Sequence, residues 1–201
     1  MRHFALLLVV LLFALLASSQ NAPGKPATSI PQRVPSALEG PPANPADVAS
    51  PDAVIAALYD VISGPAGKKR DWDRFRSLFA PGARMISVGP RLAATGGGFR
   101  ARVLSPEEYI AASGPILENN GFFENEIARR TERFGDILHA FSTYEGRRTS
   151  LDEKPFLRGI NSIQLYSDGA RWWIVTVLWQ PESPTNSCPP NISPADTVSP
   201  L

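Results

Sequence analysis

The spacing of apolar residues changes character several times along the chain. From Phe4 to Ala17 they run almost unbroken, and from Gln20 to Ala49 they keep no sustained period. Helical spacing begins at Ser50-Pro51-Asp52: a capping residue, a proline at the first helical position, then an acid in the first turn. Val54, Leu58, Val61 and Ile62 share one face until Gly64-Pro65 stops the element. "DWDRFRSLFA", residues 71–80, predicts a second helix with Trp72, Phe75, Leu78 and Phe79 on one side, ended by Pro81-Gly82. "ARMISVGPRL" and "FRARVL" predict two strands joined across Thr95-Gly96-Gly97-Gly98. Ser105-Pro106-Glu107-Glu108 opens a third helix, with a kink expected at Gly114-Pro115 before Asn119-Asn120-Gly121. Four strand-like segments follow: "FFENEIARRTERF", "DILHAFSTYEG", "FLRGINSIQLY" and "RWWIVTVLWQ". Successive strands without crossover helices imply an α+β fold, a mostly antiparallel sheet with helices on one face.

The order, with "RGINSIQLYSDGARWWIVTVLWQPE" and "HAFSTYEG" as its most specific pieces, resembles the NTF2-like (SnoaL-like, cystatin-like α+β) superfamily. The resemblance covers Ser50 to Glu182. It implies a cone: three helices from the amino-terminal half packed on a strongly curved, mostly antiparallel sheet of about six strands. Both pieces are structural. Because that superfamily includes isomerases, hydratases, cyclases, adaptors and plain ligand binders, the fold alone narrows the chemistry little. Its isomerases use an aspartate base with tyrosine donors, and no aspartate here matches such a position.

The last two strands are read as a hairpin. A two-residue Asp168-Gly169 turn pairs Leu165 with Trp172, Ile163 with Ile174, Asn161 with Thr176 and Gly159 with Leu178. A Ser167-Asp168-Gly169 turn competes, and one residue of slip exchanges the faces. On the first register Trp172, Ile174 and Leu178 look toward the helices. Asn161 and Thr176 are then polar groups inside the cone, either satisfying each other or meeting a ligand. Trp173, Val175, Val177 and Trp179 form an outward apolar patch. That patch is expected to pair two copies of the chain as a homodimer, with cover by the carboxy-terminal tail as the competing explanation.

Composition sets the address. Met1-Arg2-His3 before the apolar run, and Ala17-Ser18-Ser19 after it, have the form of a secretory signal peptide cleaved after Ser19. The run falls short of the roughly 20 apolar residues that span a bilayer, so a secreted or periplasmic protein with no stable membrane anchor is expected. Cleavage removes Arg2, leaving 19 of the 20 basic residues against 19 acidic ones. A neutral chain argues against nucleic acid, whose phosphates require clustered positive charge. Residues 20–49 and 183–201 are rich in proline and poor in aromatics, and are expected as a spacer and a tail around one domain at 50–182. The single cysteine, Cys188, falls in that tail as an unpartnered thiol.

Chemistry is sparse. His139 is the only histidine left after cleavage and is a weak candidate for proton transfer, as is Tyr59. Residues expected to face the cone's interior or mouth are Tyr59, Trp72, Tyr109, His139, Asn161, Trp172 and Thr176. One histidine and one tail cysteine do not make a zinc set, so no metal is expected, and no cofactor. Gly64 to Lys69 lacks the spacing of a phosphate loop, and there is no Gly-x-Ser-x-Gly elbow. "ENEIARRTER" reads as a solvated, charge-mixed edge strand. The leading expectation is a binder of a small, largely apolar molecule or an envelope interaction module. The competitors are an isomerase- or cyclase-type enzyme using His139 or Tyr59, and a structural dimer with a filled cone.

Overall fold

A computed structural model of the chain describes residues 42–90 and 98–188. The expected leader, the spacer up to residue 41, most of the glycine loop and the tail from residue 189 lie outside the described residues.

The described elements are α1 (Pro45–Val48), α2 (Pro51–Ile62), α3 (Trp72–Ser77), β1 (Phe79–Pro90), β2 (Phe99–Leu104), α4 (Pro106–Asn120), β3 (Phe123–Phe134), β4 (Ile137–Arg147), β5 (Leu157–Ser167) and β6 (Trp172–Pro181). The strands form one curved six-stranded sheet in the order β2-β1-β6-β5-β4-β3. Every neighbouring pair is antiparallel except β1 and β6. The helices α2, α3 and α4 supply the other layer of a single core, in which Ile55, Phe75, Leu78, Ile163 and Ile174 are wholly buried. Burying each such side chain contributes about 1.5–3 kcal/mol.

Local signals set the helix starts. Ser50 Oγ accepts from the Ala53 amide at 3.1 Å, and Ser105 and Glu108 form a reciprocal capping box. The ends of α2 and α4 are tied together by Arg70. Its guanidinium donates to the carbonyls of Ile62 (2.9 Å), Gly64 (2.7 Å), Lys68 (2.6 Å) and Leu117 (3.0 Å). These carbonyls have no intrahelical partner or lie in the connecting loop, so one buried cation satisfies them together. The basic turn "GKKR" is thus a structural clasp.

Several expected boundaries move. The domain begins before Ser50: α1 is folded, and Asp47 holds Arg74 through two contacts of 2.7 and 3.0 Å. The second helix stops at Ser77, because the chain pairs with β6 at once: the Ile174 amide donates to the Leu78 carbonyl at 3.0 Å. Pro81-Gly82 therefore falls within β1, at an irregularity between Phe79 and Arg84 where Gly82 has φ +79°. The helix α4 runs through Gly114-Pro115. A Cβ at Gly114 would lie 3.2 Å from the Trp72 ring, so the glycine gives α3 room to approach. Cys188 is buried, its amide donating to Glu182 at 2.8 Å, so the tail is packed at least that far.

The final hairpin differs from both expected registers. Ser167 pairs with Trp172 and Leu165 with Ile174, leaving a four-residue connection, 168–171. Asp168 explains the choice. Its Oδ1 accepts from the Ala170 and Arg171 amides, each at 2.9 Å, while its Oδ2 accepts from Trp173 Nε1 at 2.7 Å. Arg171 caps the Trp173 ring at 3.6 Å. Further along, Gln164 pairs with Thr176, so Val175 is an extra residue on β6. That bulge reverses the faces beyond it. Trp172 and Ile174 point inward as expected, but Val177 and Trp179 also turn inward, while Thr176 and Leu178 turn outward. Asn161 consequently opposes Trp179 in place of Thr176.

Candidate functional site

Strand alternation brings Glu124 and Glu126 of β3, Ser142 and Tyr144 of β4, and Asn161 of β5 to the helix-facing side of the sheet. The helix α2 lays Tyr59 across them. Asn161 Nδ2 donates both to the Tyr59 hydroxyl at 3.0 Å and to Glu124 Oε1 at 3.1 Å. The Tyr59 and Ser142 hydroxyls lie 2.6 Å apart, and Ser142 Oγ donates to Glu126. Ser142 has one proton, directed at Glu126, so Tyr59 donates to Ser142. The bonds therefore run one way, from Asn161 through Tyr59 and Ser142 to Glu126.

Beside this network is a cavity of about 200 Å³. Leu58 and Ile62 of α2, Tyr109, Ser113 and Leu117 of α4, and Met85, Val177 and Trp179 of the sheet form most of its wall. Phe122, Tyr144 and Leu157 complete it, with exposed Ile116 at the rim. Two polar groups outside the tyrosines and Ser113 enter it: Glu124 and Asn161. Burial pushes the Glu124 carboxyl up to about 7, and the bond from Asn161 offsets only part of that rise. Burial, and the nearby Glu124 charge, also raise the phenols of Tyr59, Tyr109 and Tyr144, which stay neutral donors at physiological pH. Neither the Tyr109 nor the Tyr144 hydroxyl has a hydrogen-bond partner among the described residues. Ser63 Oγ accepts from the Glu124 amide at 2.9 Å and fixes this end of β3 against the end of α2.

The expected interior residues scatter. Tyr109 and Asn161 line the cavity, and Tyr59 reaches it through Asn161. Trp72 lies between helices, its Nε1 donating to Glu118 at 2.9 Å. Trp172 packs in the core beneath Arg133, away from the cavity lining. Thr176 and His139 are on the outer face of the sheet, where His139 Nε2 lies 2.8 Å from Ser162 Oγ. The sheet thus stands between His139 and the cavity, while Tyr59, bonded to its two neighbours, borders a separate outer hollow between α2 and β3. Glu124 was hidden in the strand read as solvated. The signal for it was alternation counted back from the inward side of "HAFSTYEG".

The expected outward patch also changes composition. Val177 is 3% exposed and Trp179 lines the cavity, while Trp173 is 8% exposed beneath Arg171. Val175 (37% exposed) and Leu178 (38%) remain outside. Residues 186–188 meet Phe141, Ile160 and Leu178 around a second hollow of about 340 Å³, so the near part of the tail borders this face.

No protein-family model and no curated protein sequence matches the chain. Among solved structures it is similar to a cystatin-like-fold protein of unknown function from Nostoc punctiforme, with 11% identity and a TM-score of 0.48 over 65% of this chain and 87% of that one. It is also similar to an NTF2-like protein of unknown function from Silicibacter pomeroyi, with 14% identity and a TM-score of 0.45 over 67% and 94%. A Kribbella flavida protein assigned provisionally as a ketosteroid isomerase aligns at 14% identity and a TM-score of 0.40 over 76% and 96%. In its own element order and sheet topology, the chain has an α+β architecture, helices packed on a mostly antiparallel six-stranded sheet.

Proposed function

We propose that the cone binds a small, largely apolar molecule, held at its polar end by Glu124 and Asn161. The observation that carries this reading is the cavity itself: apolar walls, with a half-buried carboxyl and a carboxamide converging on one side. At about 200 Å³ it lies below the roughly 300–1,000 Å³ usual for drug-sized ligands, so the occupant is small. Native mass spectrometry of protein purified from its own host tests the reading. A bound mass is expected, and it should disappear in Ser113→Trp, which fills the cavity from α4. A folded, ligand-free protein that also takes up nothing from a small-molecule panel would refute it.

A second reading, proton transfer, is favoured by a carboxyl that titrates near neutrality next to two unbonded phenol donors. In it Glu124 is the base and Tyr109 or Tyr144 stabilises the developing oxyanion. Deuterium exchange at the α-carbon of cyclohexanone, followed by NMR, tests it. Glu124→Gln should slow the exchange at least about a hundredfold; exchange no faster than in buffer removes the reading.

Export through the amino-terminal leader, and pairing of two copies through the outer face around Val175 and Leu178, belong to the same proposal. Cell fractionation and light scattering test them separately.

A further inference from the structure

Resting on the binding reading above, we infer that the cavity selects a small organic cation, a protonated amine with an apolar body about the size of a benzene ring. Three observations converge on this class.

The first is sign. Glu124 is the acid of the lining, and no lysine, arginine or histidine lines the cavity with it. Lys68 borders an outer hollow with Glu124 but forms no ion pair with it among the described residues, and the nearest acid, Glu126, has the same sign. Glu126 accepts from Ser142 and is paired with Arg129, which also holds Asp52. From the packed elements, α2 presents Tyr59, α4 presents Tyr109, β4 presents Tyr144 and β5 presents Asn161, all neutral. Among the described residues, an ionised Glu124 therefore has no ion-paired counter-charge, and its one side-chain donor is Asn161. A neutral apolar ligand would strip the remaining water from that carboxylate and return nothing. A cation restores the missing interaction at the same moment.

The second is the wall. Four aromatic side chains, Tyr109, Phe122, Tyr144 and Trp179, are among the lining residues, and aromatic rings attract cations through their quadrupoles. The third is the pattern of acceptors. The second carboxylate oxygen of Glu124 and the Asn161 carbonyl oxygen have no donor among the described residues, so the cavity offers acceptors that an ammonium N–H can use. Size follows from volume: an apolar cavity of roughly 150 Å³ holds benzene, so about 200 Å³ admits such a ring with a one-atom arm.

The test is a charge series at constant shape. Benzylamine, benzyl alcohol and benzoate are titrated into the full-length protein by calorimetry at about pH 8, where Glu124 is ionised. Benzylamine should bind at least about tenfold more tightly than benzyl alcohol, with benzoate weakest. In Glu124→Gln the preference for the amine over the alcohol should vanish. Equal binding of amine and alcohol to the wild-type protein overturns the inference and leaves the binding reading standing, without need of any variant. An amine preference that survives in Glu124→Gln overturns it too. Failure of all three probes to bind, at concentrations that saturate a millimolar site, counts against the binding reading and carries the inference down with it.

Discussion

Replacing Glu124 by glutamine changes one charge and almost no volume, and its effect on stability can be worked out from the site. Glutamine keeps an oxygen to accept from Asn161, so the bond now at 3.1 Å is retained. What disappears is titration. In the unfolded chain the carboxyl loses its proton near 4.5, and in the fold burial holds it until about 7. Between those values the folded protein binds a proton that the unfolded chain does not, so stability falls as pH rises through the window. Above about 7 the whole penalty is present; below 4.5 it is absent. At about 1.4 kcal/mol per pH unit, the interval amounts to roughly 3 kcal/mol. Glu124→Gln should therefore match the wild-type protein near pH 4 and exceed it by about 3 kcal/mol near pH 8. Urea unfolding at a series of pH values measures the difference, since other titrating groups are common to both proteins. A gap that stays constant within about 1 kcal/mol from pH 4 to pH 8 would refute the reasoning, because it would mean that the carboxyl is well solvated in the fold.

Arg70→Met removes the donor shared by the Ile62, Gly64, Lys68 and Leu117 carbonyls and should cost about 3–5 kcal/mol, read as a fall in urea midpoint; a loss under 1 kcal/mol would contradict the clasp. Asp168→Ala frees the Trp173 indole and two turn amides, and should cost about 1–3 kcal/mol with a change in the Trp173 near-ultraviolet signal. Gly159→Ala sets a Cβ against the Tyr144 hydroxyl and, at 2.5 Å, against the Gln180 carbonyl; as the latter is sheet backbone, thermal unfolding should shift down by several degrees. His139→Gln, on the far face of the sheet, should leave the affinity of any cavity ligand unchanged within about twofold, and a tenfold loss would place the site elsewhere.

The helix starts at Ser50 and Ser105 were readable because a cap and its amide lie three residues apart, a range at which sequence is explicit. The antiparallel succession from β3 to β6 was readable for a similar reason, strand following strand through short connections. The hairpin register was not. It depends on Asp168 bonding across the connection to Trp173, and then on a bulge at Val175 that no glycine or proline announces. Glu124 escaped for a third reason. Its partner Asn161 is 37 residues away and its enclosure is tertiary, so among the acids and bases of "ENEIARRTER" it is distinguished only by position. The same holds for His139, whose side of the sheet could be assigned only once the neighbouring strands were in register.

The extra residue at Val175 gives β6 two allegiances: its first half serves the packing around Phe79 and Ile174, its second half the chamber walled by Val177 and Trp179. Removing that residue would send both chamber residues to the outside while leaving the first half undisturbed. The count of residues between Ile174 and Val177 must hold still for the chamber to keep its wall.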